Sequence, residues 1–444
     1  MSKTFRAWDV DQEWLLPPSV HDFVPPGHLA HFVRETVREA LDLSAIFAGY
    51  AEDRGQPPYH PAMMVALLLY GYSRGVYSSR RLAQACEERV DFMAVTGLSK
   101  PDFRTIAGFR RRHLAALAAL FVQVLKLCQA AGLVKLGHVA VDGTKLKASA
   151  SRHKAMSYGR MKQAEPKLKA EVEAWLRAAE AADRAEDARH GVDRRGDETP
   201  DWMADKQKRL ERIREAKARL EAEAKTDLSD LDADGPGPSS GMQERGNRKR
   251  GQDAAVPDKA QRNFTDPDSR IQPTRDGFIA GYNGQIAVDQ AHQVIVAQRL
   301  ATNPADYAAL VPLVDQTKAN LGRKPREVSG DSGFATEANL EAMAARKVKA
   351  YLPPGRSRHG ADHAAGERRL KNKPRMAAMV TTLKRAGRRS RYRLRKQTVE
   401  PVFGQIKQAR GFRQFLLRGL DKVRGEWALI CTAHNLLKLA KARP

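Results

Sequence analysis

Three acidic residues set the chemistry open to this chain. Asp142 closes an apolar run that begins at Val139, Asp331 stands between Gly330 and Gly333, and Glu400 is followed by Pro401 and Val402. Carboxylates are hard oxygen ligands suited to Mg²⁺, with Mn²⁺ as a substitute. A pair of such ions can clamp both the attacking and the leaving oxygen of a phosphodiester. Two aspartates at strand ends and a glutamate on a later helix are therefore the expected ligands, and in a basic chain such a site predicts an enzyme that cuts and rejoins nucleic acid. Each acid also has a plainer reading. Asp142-Gly143 is a good turn pair, and Asp331 suits loop punctuation. Glu400 complements the dipole of a helix that Thr398 would cap and Pro401 would open.

The elements that must position these residues read as a mixed α/β fold, interrupted once. A short strand over 138–141 leads into Asp142. Strand patterns return at 278–289 and 293–298, joined by a turn at 290–292. Asn303-Pro-Ala-Asp306 opens a helix to about Leu321. Asp331 then follows a short strand, and a helix over 337–347, a strand near Tyr351 and a later helix with Glu400 complete the order. Between the first acid and the second strand, residues 160–226 carry two apolar stripes. One is Leu168, Val172, Trp175, Leu176 and Ala179; the other is Leu210, Ile213, Lys217 and Leu220. They predict an antiparallel charged hairpin. Residues 235–263 hold too few apolar groups to order themselves and read as a basic linker.

Residues 1–135 read as helical, with Pro61 in the first turn of a buried helix and a basic helix ending in Arg110, Arg111 and Arg112. That pattern resembles a helix-turn-helix offered to DNA, although the three arginines equally complement a helix C-terminus. Residues 356–396 are strongly basic, a channel wall or an arm. His434, at helical spacing with Trp427, Ile430 and Leu437, reads as a packed core histidine.

The 444 residues carry a formal charge of +25, with a pI near 10.1. Such a charge calls for a polyanionic partner, with affinity that falls as salt rises. The longest apolar run, over 63–72, is far short of the roughly 20 residues of a spanning helix, and the first residues lack a signal-peptide core. Three scattered cysteines (Cys86, Cys128, Cys431) fit a reducing compartment and no zinc site. The expected location is the bacterial cytoplasm, at the nucleoid.

Several segments, in order, resemble the DDE transposases of bacterial insertion sequences, whose catalytic domain is RNase H-like. They are Val141-Asp-Gly-Thr-Lys-Leu-Lys, Gly281-Tyr-Asn-Gly-Gln, Asn303-Pro-Ala-Asp, Gly330-Asp-Ser-Gly-Phe, Val399-Glu-Pro-Val-Phe-Gly-Gln-Ile-Lys and Phe412-Arg-Gln-Phe-Leu-Leu-Arg-Gly. The resemblance spans nearly the whole chain. It implies a helical N-terminal domain over 1–135 and an RNase H-like domain over 136–160 and 264–444, with an insertion over 161–263 between them. It further implies that Asp142, Asp331 and Glu400 bind two Mg²⁺ ions, and that Lys145, Lys147, Arg410 and Arg413 help hold DNA. Tyr392, Arg395, Glu400 and Lys407 come close to the relatives' signature around the third acid. Four residues separate Arg395 from Glu400 where that signature has three, and Lys396 stands at the usual distance. The implied partners are the element's terminal inverted repeats and target DNA, bound by a homodimer or larger assembly. A DNA-binding regulator without catalysis and a structure-selective nuclease are the competing readings.

Overall fold

The computed structural model describes residues 19–50, 57–190, 201–233, 256–274, 276–354 and 372–442. The chain divides into two compact units. One comprises Met1–Val134, Gln405–Gly411 and Ala428–Pro444, the other Lys135–Gly404 and Phe412–Trp427.

The first unit is helical: α1 (Leu29–Glu35), α2 (Ser44–Phe47), α3 (Pro61–Ser73), α4 (Ser79–Glu88), α5 (Val90–Thr96), α6 (Phe103–Arg112) and α7 (Leu114–Ala130). Pro61 opens α3, where its missing N–H leaves no bond unmade, and the His60 ring accepts the N–H of Ala62 at 3.3 Å. Because α3 is apolar on every side it is buried all round, from Met64 to Ser73. Asp102 caps α6 by accepting the N–H groups of Arg104 and Thr105 at 2.6 and 3.2 Å. Ile106, Phe109 and Arg110 form its buried stripe. All three cysteines are buried. Among the described residues no single helix is long and apolar enough to cross a membrane.

The second unit is built on a six-stranded mixed sheet: β1 (His138–Lys147), β4 (Arg270–Thr274), β5 (Gly277–Asp289), β6 (Ile295–Ala301), β7 (Glu327–Ser329) and β8 (Lys349–Tyr351), with a separate two-stranded ribbon of β2 (Ala155–Ser157) and β3 (Gln261–Asn263). The order is β4-β5-β1-β7-β8, and β6 pairs with β5. β5 is antiparallel to β1; β7 is parallel to both β1 and β8. This is the mixed sheet with covering helices that the sequence predicts, in the same element order.

Particular boundaries differ. β1 does not stop at Val141 but runs to Lys147, so Asp142 lies inside a strand. The reason is the partner: β5 pairs with it continuously from Val139↔Asp289 to Lys147↔Gly281. That ladder satisfies a backbone which Gly143 and two lysines would not by themselves favour. Gly284 lets the buried Trp427 lie flat on β5, since a Cβ there would fall 3.0 Å from the indole.

The inserted stripes form α8 (Tyr158–His190) and α9 (Asp201–Ala233). Lys206 meets Glu171 at 2.7 Å and Lys217 meets Glu165 at 2.9 Å, as an antiparallel hairpin requires. Met161, Ile213, Ala216, Leu220 and Val256 make its core. Ala216 therefore takes the inward place expected of Lys217, which turns to Glu165, and Leu176 lies exposed. The expected linker is shorter than its composition implies. Val256 is buried in the hairpin core and β3 pairs with β2, while residues 234–255 lie outside the described residues.

The remaining helices are α10 (Leu310–Leu321), α11 (Glu337–Ala345), α12 (Pro374–Ala386), α13 (Leu394–Thr398), α14 (Glu400–Gly404) and α15 (Leu420–Lys441). Of the basic stretch over 356–396, residues 356–371 lie outside the described residues, and the rest is α12, short 3₁₀ turns and most of α13.

Candidate active site

Asp142 projects from β1, and its Oδ1 accepts the N–H of Gly143 at 2.9 Å. Asp331 follows β7 and caps a single 3₁₀ turn, Ser332–Phe334, accepting the N–H of Gly333 at 2.9 Å. Because β1 and β7 are parallel neighbours, paired through His138↔Glu327 and Ala140↔Ser329, both aspartates emerge toward one end of the sheet. Glu400 begins α14 with Pro401 next to it. Thr398 does not cap that helix; its hydroxyl donates back to the Leu394 carbonyl at 2.7 Å.

A guanidinium joins the third acid to the first. Arg395, on α13, donates from Nη1 to Glu400 Oε1 at 2.8 Å and from Nη2 to Asp142 Oδ2 at 3.3 Å. Its side chain is 12% exposed, against 47% for Glu400. Burial pushes the Asp142 carboxyl up to about 7; Arg395 and the Gly143 N–H pull it down, and Asp331 and Asp306 push it further up. Burial likewise raises the Tyr392 phenol, opposed by Arg395 and reinforced by Asp331, Asp142 and Glu400. Tyr392 thus stands in the field of all three acids. Lys145 is lowered by burial, countered by Asp306, Asp331 and Asp142.

The donors here are all hard oxygens, the kind that holds Mg²⁺ or Mn²⁺. Among the described residues, no three acidic, histidine or cysteine side chains gather tightly enough to grip an ion as they stand. Between Asp142 and Glu400 the place of a cation is taken by Arg395. The donor set fits a divalent ion in chemistry and in charge, and the Arg395 guanidinium lies between two of its members.

Two family models match this chain: one described as Transposase domain (DUF772), over residues 18–112, the other as Transposase DDE domain, over residues 251–436. The chain belongs to the DDE transposases of insertion-sequence type. No curated protein and no solved structure matches it. DDE transposases are polynucleotidyl transferases that act on DNA with divalent metal ions. Asp331 and Glu400 fall inside the second match and Asp142 outside both, so its partnership with them rests on the geometry above.

The structure separates the transposase's expected DNA-holding residues into different environments. Lys145 lies beside the acids, and Lys147 and Arg413 are exposed on paired backbone, the Lys147 N–H meeting the Arg413 carbonyl at 3.1 Å. Lys396 is exposed on a basic pocket with Arg389, Arg391 and Arg393, so Arg395 and not Lys396 reaches the acids. Arg111 and Arg112 are exposed. Arg110 is not offered to solvent: it is 4% exposed and donates to the Tyr72 hydroxyl at 3.1 Å and the Tyr77 carbonyl at 3.0 Å. Arg410 is also turned inward, to the Gln405 carbonyl at 3.1 Å and the buried His434 at 3.2 Å, and burial lowers it to about 10. Lys407 sits on a half-exposed turn of the first unit. Sequence reasoning missed the exposed Arg80 and Arg104, whose guanidiniums lie over the Phe103 ring at 5.2 and 5.6 Å. The signal was there, an aromatic residue next to arginine at the start of a basic helix.

Proposed function

We propose that Asp142, Asp331 and Glu400 hold two Mg²⁺ ions, and that the transposase cuts the terminal inverted repeats of its own element and joins the 3′-hydroxyl ends to target DNA. The carrying observation is the Arg395 guanidinium held between acids from two distant segments, with Asp331 in the same field. When bound, the ions supply activation of the attacking oxygen and neutralisation of the leaving one. The chain's own groups do the rest. The three carboxylates offset the ions' charge, Lys145 presents its ammonium beside the scissile phosphate, and Arg395, released from Asp142, takes a phosphate oxygen.

The charge of +25 supports duplex DNA as the partner. On the first unit, the face with Arg80, Phe103, Arg104, Arg111 and Arg112 is the surface we assign to the terminal repeat, bound by a dimer or larger assembly. The test is purified protein with Mg²⁺ and duplexes carrying the ends that flank its own gene. Nicked strands with 3′-hydroxyl ends, and products joined to target DNA, are expected. Cleavage without joining would reduce the reading to a nuclease; binding without cleavage would reduce it to a regulator.

Arg110 and Arg111, neighbours in sequence, should part in experiment. Arg111→Ala is expected to weaken binding evenly across DNA sequences and to lower the slope of log affinity against log salt by about 1, read by fluorescence anisotropy. Arg110→Ala should instead lower the melting temperature, because it removes a buried guanidinium that donates to the Tyr72 hydroxyl and the Tyr77 carbonyl.

A further inference from the structure

A fourth carboxylate stands among the acids. Asp306 ends the Asn303-Pro-Ala-Asp306 loop after β6, just before a 3₁₀ turn at Tyr307–Ala309. Its Oδ1 accepts from Asn283 Nδ2 at 2.6 Å and from Gln285 Nε2 at 2.9 Å, and its Oδ2 lies 3.7 Å from Lys145 Nζ. Lys145 also donates to the Pro304 carbonyl at 2.5 Å, in the same loop. The register explains the meeting. Gly143 lies opposite Gln285 and Lys145 opposite Asn283, so the two amides and the ammonium share one face of the β1–β5 pair.

Space has been left for this carboxylate. A Cβ on Gly143 would fall 2.3 Å from Asp306 Oδ1, and one on Gly333 would fall 3.8 Å from Asp306 Cβ. Asp306 therefore sits between the Asp142-Gly143 step and the Asp331-Ser332-Gly333 step. The room beside Gly143 is filled by Asp306. The groups that hold it are also unusual. Asn283 and Gln285 are 0% and 1% exposed, and after their N–H groups are given to Asp306, Asn283 Oδ1 and Gln285 Oε1 have no hydrogen-bond partner among the described residues. Neutral amides fix a carboxylate without cancelling its charge, which an arginine in their place would do.

We propose that Asp306 is a positioning residue of the active site, fixing the Lys145 ammonium at the loop beside the Gly143 and Gly333 steps and adding its charge to the field that draws the divalent ion. This rests on the assignment of Asp142, Asp331 and Glu400 as ligands. Asp306 acts from behind them, as groups behind a metal's direct ligands do.

Mn²⁺ binding to the DNA-free, full-length protein, followed by calorimetry, tests it without reference to activity. Asp306→Asn keeps the shape and an acceptor for the amides. It is expected to raise the Mn²⁺ dissociation constant about tenfold with an unchanged melting temperature. Asp331→Asn is the reference. An unchanged constant for Asp306→Asn beside a raised one for Asp331→Asn overturns the role of Asp306 alone. Unchanged constants for both overturn the ligand assignment beneath it. Should Asp306→Asn fail to melt cooperatively, Lys145→Met decides: tighter Mn²⁺ binding, through loss of the ammonium beside the acids, supports the coupling, and an unchanged constant overturns it.

Discussion

Asparagine in place of Asp331 is expected to lower strand cleavage by about three orders of magnitude or more, with the affinity for element-end DNA nearly unchanged. The size follows from the role. Loss of a carboxylate ligand weakens hold on an ion that stabilises several kcal/mol of developing charge, and each 1.36 kcal/mol of barrier is tenfold in rate. The selectivity follows from the structure. Asp331 caps its 3₁₀ turn by accepting the Gly333 N–H, and an asparagine side-chain oxygen accepts that bond equally well. The local backbone is thereby kept while the charge is removed. Single-turnover cleavage and gel-shift affinity on the same preparation give the two numbers. Cleavage within tenfold of the unaltered protein would remove Asp331 from the site.

Arg395→Ala should lower cleavage by about two to three orders of magnitude, as loss of a preorganised charge donor does, while Lys396→Ala changes it little. Signature spacing leaves the two residues as rivals; position separates them. Arg395 is bonded to Asp142 and Glu400, whereas Lys396 is exposed on a neighbouring pocket. A second readout distinguishes loss of a phosphate ligand from general damage. With its guanidinium gone, nothing from Arg395 competes with an added ion for Asp142 and Glu400, so Mn²⁺ should bind the DNA-free Arg395→Ala protein more tightly even as cleavage falls. Equal losses from both substitutions, or weaker Mn²⁺ binding, would end this account of Arg395.

Much of this transposase was legible along the chain because its signals are local. Strand periodicity, the helical stripes and the acids within recognisable segments each need only a few neighbouring residues to be read. The cap expected of Asn303-Pro-Ala-Asp306 does not form: α10 starts only at Leu310, and the Asp306 carboxylate goes to Asn283 and Gln285. What misled was what depends on a distant partner. β1 passes through Asp142 because β5 completes its ladder. Part of the expected linker is ordered because the hairpin core takes Val256. Arg110 and Arg410 look like surface cations by type, yet each is folded inward onto carbonyls and ring or hydroxyl groups of its own unit.

The sequence by itself determined the element order and the basic character, since composition and short-range pattern suffice for these, and it singled out Asp142, Asp331 and Glu400 as candidates. Only the tertiary structure decided that Arg395 bridges Asp142 and Glu400, and that Gly143 makes room for Asp306. Both depend on which atoms lie within about 3 Å after strands and helices pair, and pairing between distant segments leaves no periodic trace in either one.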